Sequence, residues 1–156
     1  MVEILLLRNL LIALALGAFI GLEREYARYK KRGHDYAGIR TFPLIALFGA
    51  LAAYFGKIIT PWIFLASIFL MGAIIILAYV FSNKGKVPQI GATSEVAGFL
   101  TFFIGALSYY NEILLALILT IAITIILYAR SLLHQFAERI KPKEMADTLL
   151  FAVIAF

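Results

Sequence analysis

Five apolar runs follow one another along the chain, at about 4–22, 42–59, 61–81, 89–110 and 111–133. Each is close to the about 20 residues that an α-helix needs to cross roughly 30 Å of hydrocarbon. Their boundaries are chemically distinct. Thr60-Pro61 starts a new helix after a short turn, residues 82–88 form a polar loop, and Tyr109-Tyr110-Asn111 makes an aromatic interfacial turn. A sixth run begins at Met145 and reaches Phe156, about 18 Å as a helix, too short to span. The pattern predicts an all-α, polytopic transmembrane bundle of five full helices and a partial sixth. Residues 1–144 form one transmembrane domain on this reading, and 145–156 are the start of a further helix in a chain cut from something longer.

Composition agrees with that solvent. With 63% hydrophobic and 15% charged residues and a mean hydropathy of +0.97, the chain cannot cover its apolar surface as one ordinary soluble domain. No soluble domain interrupts it. The absence of Cys excludes disulfides and thiolate metal sites, and His34 and His134 are too few and too far apart for a His-rich metal cage.

Charge sets the expected orientation. Of the 14 basic residues, 12 fall in the segments 23–41, 82–88 and 130–147, which lie on one side of a five-helix model. That side is expected to be cytoplasmic, with the amino terminus outside and the cell membrane as the location. The first run carries its positive cluster after the apolar stretch, unlike a cleaved signal peptide. Juxtamembrane basic residues against anionic lipid account for the net charge of +5 without nucleic acid.

One ionisable residue stands inside an apolar run. Glu95 is expected about 10 Å in from the polar loop, on the helical face of Gly91, Gly98, Phe102 and Gly105. A carboxylate in hydrocarbon costs several kcal/mol, so it calls for a partner, a cation, water or a proton. Small residues also recur at Ala13-Gly17-Gly21 and Gly49-Ala53-Gly56, spacings that let helix backbones approach closely. Gly17, Gly21, Gly49, Gly91, Gly98 and Gly105 are therefore expected packing positions, and a homodimer built on such faces is the expected assembly. Thr120 and Thr124 are expected to bond back to their own helix, Arg8 to snorkel outward, and Trp62, Tyr109 and Tyr110 to anchor the outer interface.

A second concentration of polar residues follows the first run. Steps of four lead from Gly17 and Gly21 to Glu25, with Glu23 and Arg24 alongside, and Gly38-Ile39-Arg40-Thr41 opens the next run. Glu23, Arg24, Glu25, Arg40 and Glu95 are expected to converge near the cytoplasmic face, with a short hairpin bringing Arg40 to Glu25. Arg28, Lys30, Lys31 and Arg32 read instead as charges solvated by headgroups.

The stretch from Gly17 to Glu25, Gly-Ala-Phe-Ile-Gly-Leu-Glu-Arg-Glu, followed by Ala37-Gly38-Ile39-Arg40-Thr41, resembles the signature of the MgtC/SapB family of membrane proteins. Arg8-Asn9-Leu10 and the run from Phe42 through Leu51 continue the likeness. Gly91-Ala92-Thr93-Ser94-Glu95 is similar to an element of a longer branch with an added membrane domain. The resemblance implies a link to Mg²⁺ transport or homeostasis for some members and regulation of other membrane proteins for others. It singles out Glu23, Arg24, Glu25, Gly38, Arg40, Thr41 and Glu95. A soluble carboxy-terminal domain like that of the virulence-associated members is not expected within residues 1–156.

Two functions follow as expectations. In the first, the cluster is an ion site, with Glu25 and Glu95 as metal-ligand candidates, since Mg²⁺ takes oxygen ligands and is the ion that the resemblance suggests. In the second, the protein is a regulatory or assembly module whose Glu–Arg pairs set helix register and whose glycine stripes bind partner membrane helices. Arginines beside the acids count for the second, because a cation competes with built-in counter-ions, and they equally suit an anionic substrate. The depth expected for Glu95 tips the reading to the ion site, with the regulatory module as the alternative. No Ser–His–Asp or two-His metal spacing points to an enzyme.

Overall fold

The computed structural model describes residues 2–29, 37–82, 92–130, 133, 136 and 142–155. Its elements are helical: α1 (Val2–Tyr29), α2 (Thr41–Ile58), α3 (Pro61–Ser82), α4 (Thr93–Tyr109), α5 (Ile113–Tyr128) and α6 (Pro142–Ala155). There are no strands among the described residues. Three segments, Glu3–Tyr29, Thr41–Ile58 and Pro61–Phe81, are long and apolar enough to cross a membrane. The other two expected spans are shorter, with α4 at 17 residues and α5 at 16. At ~1.5 Å per residue they measure about 25 Å, somewhat less than a bilayer core.

The helix ends follow from local chemistry. Pro61 occupies the first position of α3, where its missing N–H costs nothing, and Pro142 opens α6 in the same way, three residues before the expected start. Asn111 closes α4 with φ 68°, the left-handed conformation in which Asn is well tolerated. The Glu112 N–H reaches back to the Leu107 carbonyl and the Asn111 N–H to that of Ser108, at 3.0 and 3.1 Å, forming a Schellman cap.

The largest difference from expectation is at the end of α1. The apolar run stops near Leu22, but the helix continues to Tyr29 and carries Glu23, Arg24, Glu25 and Arg28 with it. Segment 23–41 is thus helical in its first part instead of a loop. Likewise α4 begins at Thr93, which puts Glu95 in its first turn. Glu95 is therefore not two turns inside a helix that starts at Gln89. The first turn is where the helix macrodipole favours a carboxylate.

The centre of the bundle is the α2–α4 contact, against which α1 packs, with α5 on α1 and α4 and with α3 on α2 and α4. Glycine makes the centre possible. A Cβ on Gly49 would overlap the Phe102 carbonyl, and one on Gly105 the Ala46 carbonyl, so the two backbones interlock with no room for a side chain. On α1, Gly17 faces Phe42 and Pro43, and Gly21 faces Gly38 and Ile39, with Cβ positions 2.7 to 2.9 Å from those backbones. Phe102, wholly buried, joins three helices through Phe48 of α2 (5.5 Å, edge-on) and Phe64 of α3 (5.9 Å, stacked).

Three buried hydroxyls are satisfied within their own helices. Thr101, Ser108 and Thr120 donate to the carbonyls four residues back at 2.7 to 2.9 Å, and Thr124 does the same to Thr120, as its spacing predicted. Only 11% of the α3 span is buried inside the bundle, and Phe69, Ile76 and Leu77 are among its exposed side chains. A face of that composition fits lipid.

Candidate functional site

Polar side chains gather at both ends of the α1–α4 contact. Along α1, about 21 Å separates Asn9 from Glu23 at ~1.5 Å per residue. At the Asn9 end, Arg8 donates to Asn111 Oδ1 at 2.6 Å and to Asn9 Oδ1, while buried Asn9 donates to the Tyr109 carbonyl at 3.3 Å. These bonds clasp α1 to the α4–α5 turn. Arg8 is accordingly held by Asn9 and Asn111, a more specific role than snorkelling alone. Tyr109 packs edge-on against both Tyr54 and Tyr110 at the same level.

The other end holds the residues singled out by sequence, in two groups. The first is built around Arg24, which is 2% exposed. Its Nε donates to Glu23 Oε2 at 2.5 Å and its Nη2 pairs with the same oxygen, while Nη1 reaches Ser94 Oγ on α4 at 3.3 Å. Glu23 is itself nearly buried. A charged guanidinium is tolerated here because a carboxylate and a hydroxyl from two helices satisfy it. The residue that meets Arg24 on α4 is Ser94, not its neighbour Glu95.

The second group surrounds Glu25. Its Oε1 accepts from Arg28 three residues on, and its Oε2 lies against Gly38, where a Cβ would collide with it. Gly17, Gly21 and Glu25 form one stripe that meets Phe42–Ala46, Gly38–Phe42 and Gly38 in turn, as their spacing of four implied. Gly38 is needed for this approach, and its carbonyl accepts the Thr41 and Phe42 N–H groups at 3.0 and 3.2 Å to start α2. Glu25, Arg28, Gly38, Ile39, Arg40 and Thr41 surround a polar recess of about 140 Å³ that opens to the surface.

Arg40 and Thr41 thus stand with Glu25, but the expected Arg40–Glu25 pairing is not formed. Helical extension brings Arg28 to Glu25 instead, and Arg40 stays exposed at the cap of α2. Glu95 is half-buried and makes no hydrogen bond or ion pair among the described residues. Glu25 and Glu95 therefore sit in separate settings, and no group of three or more His, Asp or Glu side chains that could hold a metal ion occurs among the described residues.

Of the packing glycines, Gly17, Gly21, Gly49 and Gly105 are occupied by the chain's own helices and Gly98 is buried; Gly91 lies outside the described residues. Asn9 and Ser94 stand in the sequence motifs without a partner assigned to them, and Arg28 was expected to be solvated by headgroups; the structure supplies the partners of all three. Arg28 sits three residues after Glu25, a helical pairing that reading the segment as a loop concealed.

Long apolar helices joined by interlocked glycines, with a buried Glu–Arg pair at one end, define a multi-pass membrane protein. Residues 10–136 match the model of the MgtC family, and the chain belongs to that family. No curated protein and no solved structure matches it.

Proposed function

We propose that the chain is a multi-pass protein of the cell membrane that serves ion homeostasis by binding and regulating another membrane protein, and that it does not pass an ion through its own bundle. The observation that carries this reading is that both clustered carboxylates already have counter-ions, Glu23 in buried Arg24 and Glu25 in Arg28. A cation entering here has to displace an arginine from each acid, against a direct charge–charge attraction. The glycine stripes of α1, α2 and α4 are engaged inside the chain, so the exposed apolar faces of α3 and α5 and the outer side of α1 are open to a partner helix or a second copy.

Flux is the direct test. Proteoliposomes holding the protein and a Mg²⁺-sensitive dye are expected to take up Mg²⁺ no faster than protein-free vesicles. Glu95→Gln is expected to melt within about 1 kcal/mol of the wild type, as for a surface substitution with no partner lost. Saturable Mg²⁺ uptake that disappears in Glu25→Gln would establish the transport reading instead.

The positive-inside distribution supports a cytoplasmic position for the Arg24 end. A cysteine at Tyr29, which is 82% exposed, is expected to react with an impermeant maleimide only after the membrane is opened, and one at Asn111 in intact cells. The reverse pattern would invert the orientation.

A further inference from the structure

We infer that the recess between the end of α1 and the start of α2 is an anion site that takes a phosphate group. The inference goes beyond the regulatory reading and does not depend on it. Its basis is an imbalance of donors over acceptors. Arg40 forms no ion pair or hydrogen bond among the described residues, and the N–H groups of Ile39 and Arg40 and the Thr41 hydroxyl also lack partners among them. All three residues line the recess together with Arg28.

Among the described residues the charge lining the recess is positive. Two guanidiniums stand against one carboxylate, and that carboxylate is engaged by Arg28, leaving Arg40 without a counter-ion among them. Glu25 is a fixed acceptor that repels an anion, so a ligand has to bind on the Arg40 side. The start of α2 itself contributes little. Its Thr41 and Phe42 N–H groups are spent on the Gly38 carbonyl and Pro43 has none, which leaves the Arg40 guanidinium, the Thr41 hydroxyl and the two preceding amides as donors.

Size and place agree with the charge. A recess of about 140 Å³, open to the surface, has room for a group the size of a phosphate. The recess lies where the apolar stretches of α1 and α2 give way to polar residues, the level at which lipid phosphates lie. Arginine pairs bidentately with phosphate oxygens in a way that an ammonium does not. A lipid headgroup or a soluble phosphate compound supplies the same chemistry.

Thermal unfolding in phosphatidylcholine nanodiscs tests the site. Wild-type protein is compared with Arg40→Gln, Thr41→Val and Glu25→Gln, with phosphatidate added to the bilayer or inorganic phosphate added to the buffer at constant ionic strength. The wild-type midpoint is expected to rise by about 3 to 6 °C, the shift that a ligand at about tenfold its dissociation constant gives a chain of this size. Arg40→Gln and Thr41→Val are each expected to lose most of that rise. Glu25→Gln is expected to keep or enlarge it, because a repelling carboxylate is gone.

A rise with phosphatidate alone identifies a lipid headgroup, and a rise with both additives a soluble phosphate ligand. No rise with either overturns the inference, as does an equal rise in wild type and Arg40→Gln, which marks general attraction to an anionic surface. A rise lost in Glu25→Gln overturns it too. Mg²⁺ uptake by proteoliposomes would defeat the regulatory reading while leaving these shifts as they are.

Discussion

Arg24→Ala is expected to be among the most destabilising substitutions in the chain, costing about 3 to 5 kcal/mol, the range for removing one partner from a buried ion pair. The cost arises from what remains. Glu23 would keep its charge in a nearly closed site with no counter-ion, and the Ser94 hydroxyl would lose its link between α1 and α4. Two comparisons isolate the cause. Arg28→Ala removes a partner that is 55% exposed, and solvent screening holds that loss to under about 1 kcal/mol. The double variant Glu23→Gln/Arg24→Met takes away both charges, and is expected to recover much of the stability. Equilibrium unfolding in a mild detergent with added denaturant measures all three. An Arg24→Ala loss no larger than that of Arg28→Ala would show that the buried pair does not hold the helices together.

The second large effect is at the interlock of α2 and α4. Gly49→Ala adds a single methyl, yet it would fall on the Phe102 carbonyl, which is backbone and cannot rotate aside. The helices have to separate, with loss of packing around Phe102 and its contacts to Phe48 and Phe64. About 3 kcal/mol is expected, at the upper end for overpacking by small groups. Gly105→Ala is expected to behave alike, since it meets the Ala46 carbonyl from the other side. Gly72→Ala is the control. Nothing lies within 4 Å of its Cβ position on lipid-facing α3, so the substitution is expected to be neutral or to stabilise by about 0.5 kcal/mol through helix propensity. If Gly49→Ala and Gly72→Ala melt together, the close approach of α2 and α4 does not contribute to stability.

These two effects mark the boundary between what was legible and what was not. Spacing of four along α1 was enough to place Gly17, Gly21 and Glu25 on one stripe, because 3.6 residues per turn is a property of the helix alone. The hydroxyls of Thr120 and Thr124 were equally legible, since a carbonyl four residues back belongs to the same helix. The glycine positions were legible as places of close approach, but not their neighbours. Gly49 meets Phe102 and Gly105 meets Ala46 inside one chain, whereas the spacing fits a second copy just as well.

The sequence by itself determined the solvent, the helical class and the stock of polar residues that a membrane protein has to satisfy, because hydrophobic length and helical period are local quantities. The MgtC family motif added the residues around Glu25 and Arg40. Pairing was decided only by the tertiary structure. Where α1 ends is a matter of packing against α2 as well as of propensity, and seven further helical residues turned Arg28 toward Glu25 and left Arg40 to the recess. The start of α4 at Thr93 and its register against α1 likewise gave Arg24 to Ser94 and set Glu95 at the first turn. Register between helices depends on contacts far apart in the chain, here 70 residues for Arg24 and Ser94, and no local pattern carries that information.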